Sequence, residues 1–118
     1  MKILIEKEKK SPEVKYDEVN RKLLIEGVII PENPEIFFEK LNNIIFSSYI
    51  RQDKFIIDFY LEYFNTGAAR FLYKLLLKLK DSGNIEIIWR YEEDDEDILE
   101  SGKEFESLTS LPFVFKLI

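Results

Sequence analysis

An apolar, aromatic run, Phe55-Ile56-Ile57-Asp58-Phe59-Tyr60-Leu61, passes within a few residues into a long amphipathic pattern, and that junction constrains the fold more than any other stretch. A run of this kind, without clean polar alternation, is the signature of a strand covered on both faces. Downstream, Ala68, Phe71, Leu72, Leu75, Leu76 and Leu79 recur at helical spacing and predict one broad buried face. The helix is expected to stop at Asp81-Ser82-Gly83, where Gly83 can take the left-handed conformation of a helix end.

The flanking elements extend this pattern. Ile3, Leu4 and Ile5 start a short first strand, Val14 and Tyr16 a second after Ser11-Pro12, and Leu23 and Ile25 a third, with Asp17-Glu18-Val19-Asn20 as a hairpin turn. Gly27 is expected to end or bulge the third strand. Pro31-Glu32-Asn33-Pro34-Glu35 signals a helix start, with Asn33 as N-cap, Pro34 at the first helical position and Glu35 in the first turn; Phe37, Leu41, Ile44, Ile45 and Ser48 then share one side. Ile85, Ile87, Trp89 and Tyr91 alternate as another strand. A third helix is expected from Asp94 to about Leu108, interrupted or relaxed near Gly102, before Phe113 to Ile118 closes the chain as a strand. Strands first, then strand-helix alternation, predict an α/β (α+β mixed) fold: a mixed β-sheet, right-handed crossovers between parallel strands, and helices packed mainly on one face.

At the junction, Asn65 or Thr66 caps the free N–H groups of the helix start, and the sequence leaves open which. A plain cap is the bland reading of Thr66. The alternative is a phosphoacceptor, since a phosphate there would sit at the positive end of the helix dipole. Arg70, Lys74 and Lys78 follow at four-residue intervals, which predicts one basic stripe with Arg70 a turn from Thr66.

At 118 residues, the chain is expected to form a single domain spanning 1–118 that needs no disulfide or metal to fold. It has no cysteine and no histidine, which removes thiolate and imidazole chemistry and the usual zinc sites. The net charge of -6 argues against nucleic acid as a partner. The opening apolar run is too short for a signal peptide, and no stretch approaches the about 20 apolar residues of a membrane span, so a cytoplasmic protein without membrane association is expected.

Glu92 to Asp97 is an unbroken acidic run. It lacks the spaced ligands and turn glycine of an EF-hand loop, so no metal site is assigned. A solvated acidic helix start is one reading and a docking surface for a basic partner patch the other. Asp58, inside an apolar strand, requires a structural partner or an outward face. A carboxylate-dependent hydrolase using Asp58 and the acidic run lacks any evident nucleophile, phosphate loop or paired acid and base. Trp89, Tyr63 and Tyr60, at strand spacing, read as core rather than as a binding surface.

Pro31-Glu32-Asn33, Leu61-Glu62-Tyr63-Phe64-Asn65-Thr66 and Trp89-Arg90-Tyr91-Glu92-Glu93-Asp94-Asp95-Glu96-Asp97, with Pro12-Glu13-Val14 and Leu111-Pro112-Phe113, together resemble the SiaC family of bacterial regulatory phosphoproteins over nearly the whole chain. The resemblance implies a fold similar to the STAS domain of anti-sigma-factor antagonists and a non-enzymatic role without cofactor. It implies that Thr66 is phosphorylated by a dedicated kinase and dephosphorylated by a PP2C-type phosphatase. The unmodified form would bind and activate a diguanylate cyclase, raising cyclic di-GMP and promoting biofilm formation. Asn65, Thr66, Gly67 and Arg70, with acidic Asp94, Asp95 and Asp97, are the expected partner contacts. Gly67 and Ala68 stand where the family usually has serines, which leaves Thr66 as the hydroxyl of this turn. An antagonist acting on an anti-sigma factor or another effector is the alternative output.

Overall fold

The computed structural model describes residues 1–49 and 54–118. Six strands form one sheet in sequence order: β1 (Lys2–Ile5), β2 (Glu13–Asp17), β3 (Lys22–Ile29), β4 (Phe55–Phe64), β5 (Ile85–Tyr91) and β6 (Phe113–Leu117). β1, β2 and β3 are antiparallel neighbours, while β3 through β6 run parallel. Three helices supply the crossovers, α1 (Pro34–Ile44), α2 (Thr66–Lys80) and α3 (Glu96–Thr109), and a π-helical segment, Ile45–Tyr49, prolongs α1. With each right-handed crossover advancing one strand in the same direction, all three helices fall on one face, and α2 packs against both α1 and α3. The expected α/β mixed sheet is thus the one observed.

Period-two burial selects the helix-covered face: Leu23, Ile25 and Ile29 from β3, Phe55, Ile57, Phe59 and Leu61 from β4, and Ile85, Ile87 and Trp89 from β5 are all buried. Leu41, Leu72, Leu76 and Phe105 close over them from the helices, each such side chain contributing about 1.5–3 kcal/mol of transfer free energy. The opposite face has no covering element among the described residues. There the central row, Leu24, Asp58, Ile88 and Val114, lies in register across four strands.

Charge pairs hold that open face. Asp58 Oδ2 accepts from Arg90 Nη2 at 2.6 Å and stands 3.6 Å from Lys22 Nζ; Asp58 itself is 2% exposed. Lys15 reaches Glu13 and Glu26 at 3.3 and 3.8 Å, and Lys54 reaches Glu86 at 3.2 Å. Asp58 therefore has structural partners at Oδ2, while its buried Oδ1 accepts no hydrogen bond among the described residues.

Several local expectations change. Asn33 occupies the cap position of α1, but its side chain caps nothing; Pro34 at the helix start removes one donor and fixes the helical φ instead. The side chain of Ser48 lies outside the described residues. The third helix starts at Glu96 rather than Asp94, after a turn at Glu93-Asp94, with Asp95 as N-cap accepting from Ile98 N–H. It runs unbroken through Gly102, because glycine there serves packing: a Cβ would lie 2.5 Å from the Trp89 indole, whose Nε1 donates to Ile98 O at 2.8 Å.

Candidate functional site: the start of α2 and its groove with α3

β4 carries a bulge that builds the site. Gly27 pairs with Leu61 and Val28 with Tyr63, so Glu62 is the extra residue. Gly27 does not end its strand; β3 keeps its alternation to Ile29, and β4 changes phase instead. An inserted residue turns later side chains to the other face. Phe64 consequently points into the helix-covered side, its ring centroid 6.3 Å from Trp89 and 6.1 Å from Phe105, whereas Tyr63 is turned out and 57% exposed. The expectation that Tyr63 joins the core fails for this reason, while Trp89, 1% exposed, fulfils it. Tyr60, half-buried on the open face, donates to Glu92, and that bond holds its phenol pKa above the usual value.

The cap of α2 belongs to Asn65. Its Oδ1 accepts from Ala68 N–H at 2.9 Å and its carbonyl from Ala69 N–H at 2.9 Å. Thr66 is then the first helical residue, exposed, and its hydroxyl has no partner among the described residues. A phosphate on that oxygen would therefore displace no capping bond, and the free N–H groups and dipole of the first turn favour the added charge. Gly67 is exposed with ordinary room for a side chain: a Cβ would meet Asn65 Oδ1 at 3.6 Å and Pro34 at 3.8 Å. Ala68 is fully buried.

Thr66 borders a shallow groove between α2 and α3, lined by Phe64, Arg70, Tyr73, Glu104, Phe105 and Leu108. Leu108 is 53% exposed. Across Phe64 and Ser101 lies a second hollow, walled by Glu62, Tyr63, Asp95, Asp97 and Ile98. The two hollows share Phe64 and Ser101, so Thr66 and Arg70 stand on one side of an apolar ridge and Asp95 and Asp97 on the other. Asp94, in the preceding turn, lines neither. Arg70, Asp94, Asp97 and Glu104 make no ion pair among the described residues.

The single basic stripe divides. Arg70 faces the α2–α3 groove, whereas Lys74 and Lys78 border the groove between α1 and α2 with Glu35, Glu39 and Phe71. Lys74 Nζ sits 5.3 Å from the Phe71 ring centroid and Lys78 Nζ 4.2 Å from that of Phe46. Steps of four residues drift about 40° around a helix of 3.6 residues per turn, and the first step, from Arg70 to Lys74, already carries the row from one groove to the next.

Sequence reasoning does not identify Ser101, Glu104 and Leu108 as groove residues. A weak signal existed in α3, where Leu108 is apolar but off the face defined by Ile98 and Phe105.

Among the described residues, no group of three or more acidic side chains is placed to hold a metal ion, and no helix is long and apolar enough to cross a membrane.

Residues 5–118 match the family model described as SiaC family regulatory phosphoprotein. No curated protein matches the chain. Solved structures with the same fold include a chain from the crystal structure of diguanylate cyclase SiaD in complex with its activator SiaC from Pseudomonas aeruginosa, at TM-score 0.85 and 22% identity, covering 97% of this chain and 98% of that one. Apo-SiaC from Pseudomonas aeruginosa is similar at TM-score 0.82 and 23% identity over 98% and 99% of the two chains. A further structure of SiaC from the same organism aligns over 100% of both at TM-score 0.82 and 22% identity.

Proposed function

The chain belongs to the SiaC family of regulatory phosphoproteins, and on that premise we propose that it is a phosphorylation-switched adaptor whose unmodified form binds and activates a diguanylate cyclase. The activator described in complex with the cyclase SiaD has the same fold and supports this reading. The contact surface is the turn Asn65-Thr66-Gly67 with Arg70 and the Phe64 ridge, flanked by Asp95 and Asp97. Asp94 stands on the turn beside them as a peripheral contact. The observation that carries the reading is that Asn65 performs the capping. The neighbouring Thr66 hydroxyl is thus exposed and structurally idle.

The switch follows from charge. Phosphorylation replaces a neutral hydroxyl by a group of about -1.5 to -2 charges. A partner covering the turn must then bury that charge in a groove whose described lining offers it Arg70 and the like-charged Glu104, or withdraw. A penalty of about 3 kcal/mol weakens binding roughly a hundredfold. A kinase and a PP2C-type phosphatase acting on Thr66 complete the cycle, and the chain performs no chemistry of its own. The folded domain is undisturbed, because no capping bond is lost.

Titration of the cyclase with Thr66→Asp and Thr66→Ala variants tests the reading. Thr66→Asp is expected to lose most of its affinity and activation, and Thr66→Ala to keep both. Equal binding by the two variants would sink the switch.

A further inference from the structure

The two edges of the sheet are built differently. β1 has four residues and its register with β2 shifts between Ile3 and Ile5; short, irregular edges of this kind resist further pairing. β6 pairs with β5 without interruption, Ile87 with Phe113 through Tyr91 with Leu117. It contains neither proline nor glycine, and Lys116 is its single charge. Backbone groups alternate in direction along a strand. Ile118 N–H donates to Tyr91 O, and Pro112 O accepts from Ile87 N–H, both at 2.9 Å. The even-numbered residues therefore face β5, and the N–H and C=O groups of Phe113, Phe115 and Leu117 point off the edge. Among the described residues no strand pairs with them. Val114, Leu117 and Ile118 are 38%, 57% and 53% exposed.

We propose that β6 pairs antiparallel with β6 of a second copy of this chain, about a two-fold axis at Phe115, joining the two sheets. The register that uses every outward backbone group is self-complementary: Phe115 faces Phe115 of the second copy, and Phe113 faces its Leu117, each pair exchanging N–H···O bonds. Between them Val114 faces Lys116 of the second copy in the closer, non-hydrogen-bonded pairing. There the lysine stem covers the valine while its ammonium stays in water. Apolar residues meet apolar residues, and Lys116 never meets itself. The acidic turn after β5 lies at the Leu117 end of the strand, so the two-fold places the two turns at opposite ends of the joint. That arrangement limits repulsion between two copies of charge -6. This self-complementarity selects a second copy over a foreign strand and makes the contact isologous and closed.

The proposal concerns the protein alone and needs no cyclase, so its failure is separable from failure of the Thr66 switch. Sedimentation velocity over a concentration series is expected to show a monomer–dimer equilibrium. Val114→Lys places a second lysine opposite Lys116 on both sides of the axis and is expected to raise the dissociation constant about tenfold. Val114→Glu, equally exposed, should lower it. Leu117→Pro removes an outward N–H without touching the β5 ladder and should abolish the dimer, with circular dichroism checking that the fold persists. A monomer at all concentrations would overturn the proposal. So would a dimer on which the lysine and glutamate variants act alike.

Discussion

Two charged regions of this protein have opposite characters. On the open face of the sheet, Asp58 is 2% exposed and meets Arg90 and Lys22 within the molecule, and the surrounding lysines find their own glutamates. Along α2 and α3, Arg70, Asp97 and Glu104 have no such partners among the described residues; Arg70 and Glu104 rim the groove floored by Phe64 and Leu108, and Asp97 the adjoining hollow that shares Phe64. Charges paired within the molecule hold a sheet face without a covering helix. Unpaired charges beside exposed apolar surface suit a surface completed by another molecule. Position in the sequence hides this contrast, because Asp58 and Thr66 lie at the two ends of one strand-to-helix passage.

The largest expected effect breaks the comparison on the internal side. Asp58→Ala strips Arg90 and Lys22 of a buried carboxylate and should cost about 3 kcal/mol of unfolding free energy, somewhat less than a fully enclosed pair because both cations are partly exposed. Denaturant melts measure that loss, and cyclase affinity of the folded fraction should be unchanged. Gly102→Ala drives a methyl into the Trp89 indole and should cost about 2 kcal/mol by overpacking. Since Trp89 supports Phe64 and Phe105, its fluorescence and the groove's affinity should change together. On the binding side, Asp95→Asn with Asp97→Asn keeps a competent cap for α3 and removes the acidic wall. Affinity for the cyclase should fall about tenfold at low ionic strength, with the difference vanishing in high salt. The smallest effect lies far from both regions. Asn20, through its side chain and then its backbone N–H, holds the Asp17 carboxyl below its ordinary value of 3.8. A lowered folded-state value stabilises fully above the unfolded pKa and is lost as pH falls through the folded one. Asp17→Asn should therefore flatten the acid limb of the stability profile below about pH 4 and leave binding at neutral pH untouched.

The order of elements is readable from periodicity because each strand and helix is long enough to repeat its pattern. The groove is less so. The bulge at Glu62 adds one residue inside Phe59-Tyr60-Leu61-Glu62-Tyr63-Phe64, where nearly every position is apolar or aromatic, and a phase change leaves no trace in such a run. Its result, Phe64 inside and Tyr63 outside, depends on pairing with β3. Gly102 reads as a helix breaker until Trp89, from another strand, is placed against it. Asn65 and Thr66 are both good caps on propensity, and only the bond to Ala68 N–H separates them. Arg70, Lys74 and Lys78 look like one row on a helical wheel, but accumulated drift divides them between two grooves.

The central claim is that a phosphate on Thr66, and nowhere else, releases the partner. Its most direct test is calorimetric titration of the cyclase with protein phosphorylated stoichiometrically at Thr66, the site verified by peptide fragmentation, beside the unmodified protein. The account predicts roughly a hundredfold weaker binding for the phosphoprotein, recovered on dephosphorylation, at unchanged thermal stability. Equal affinity of the two forms would contradict it and return Thr66 to an ordinary first residue of a helix.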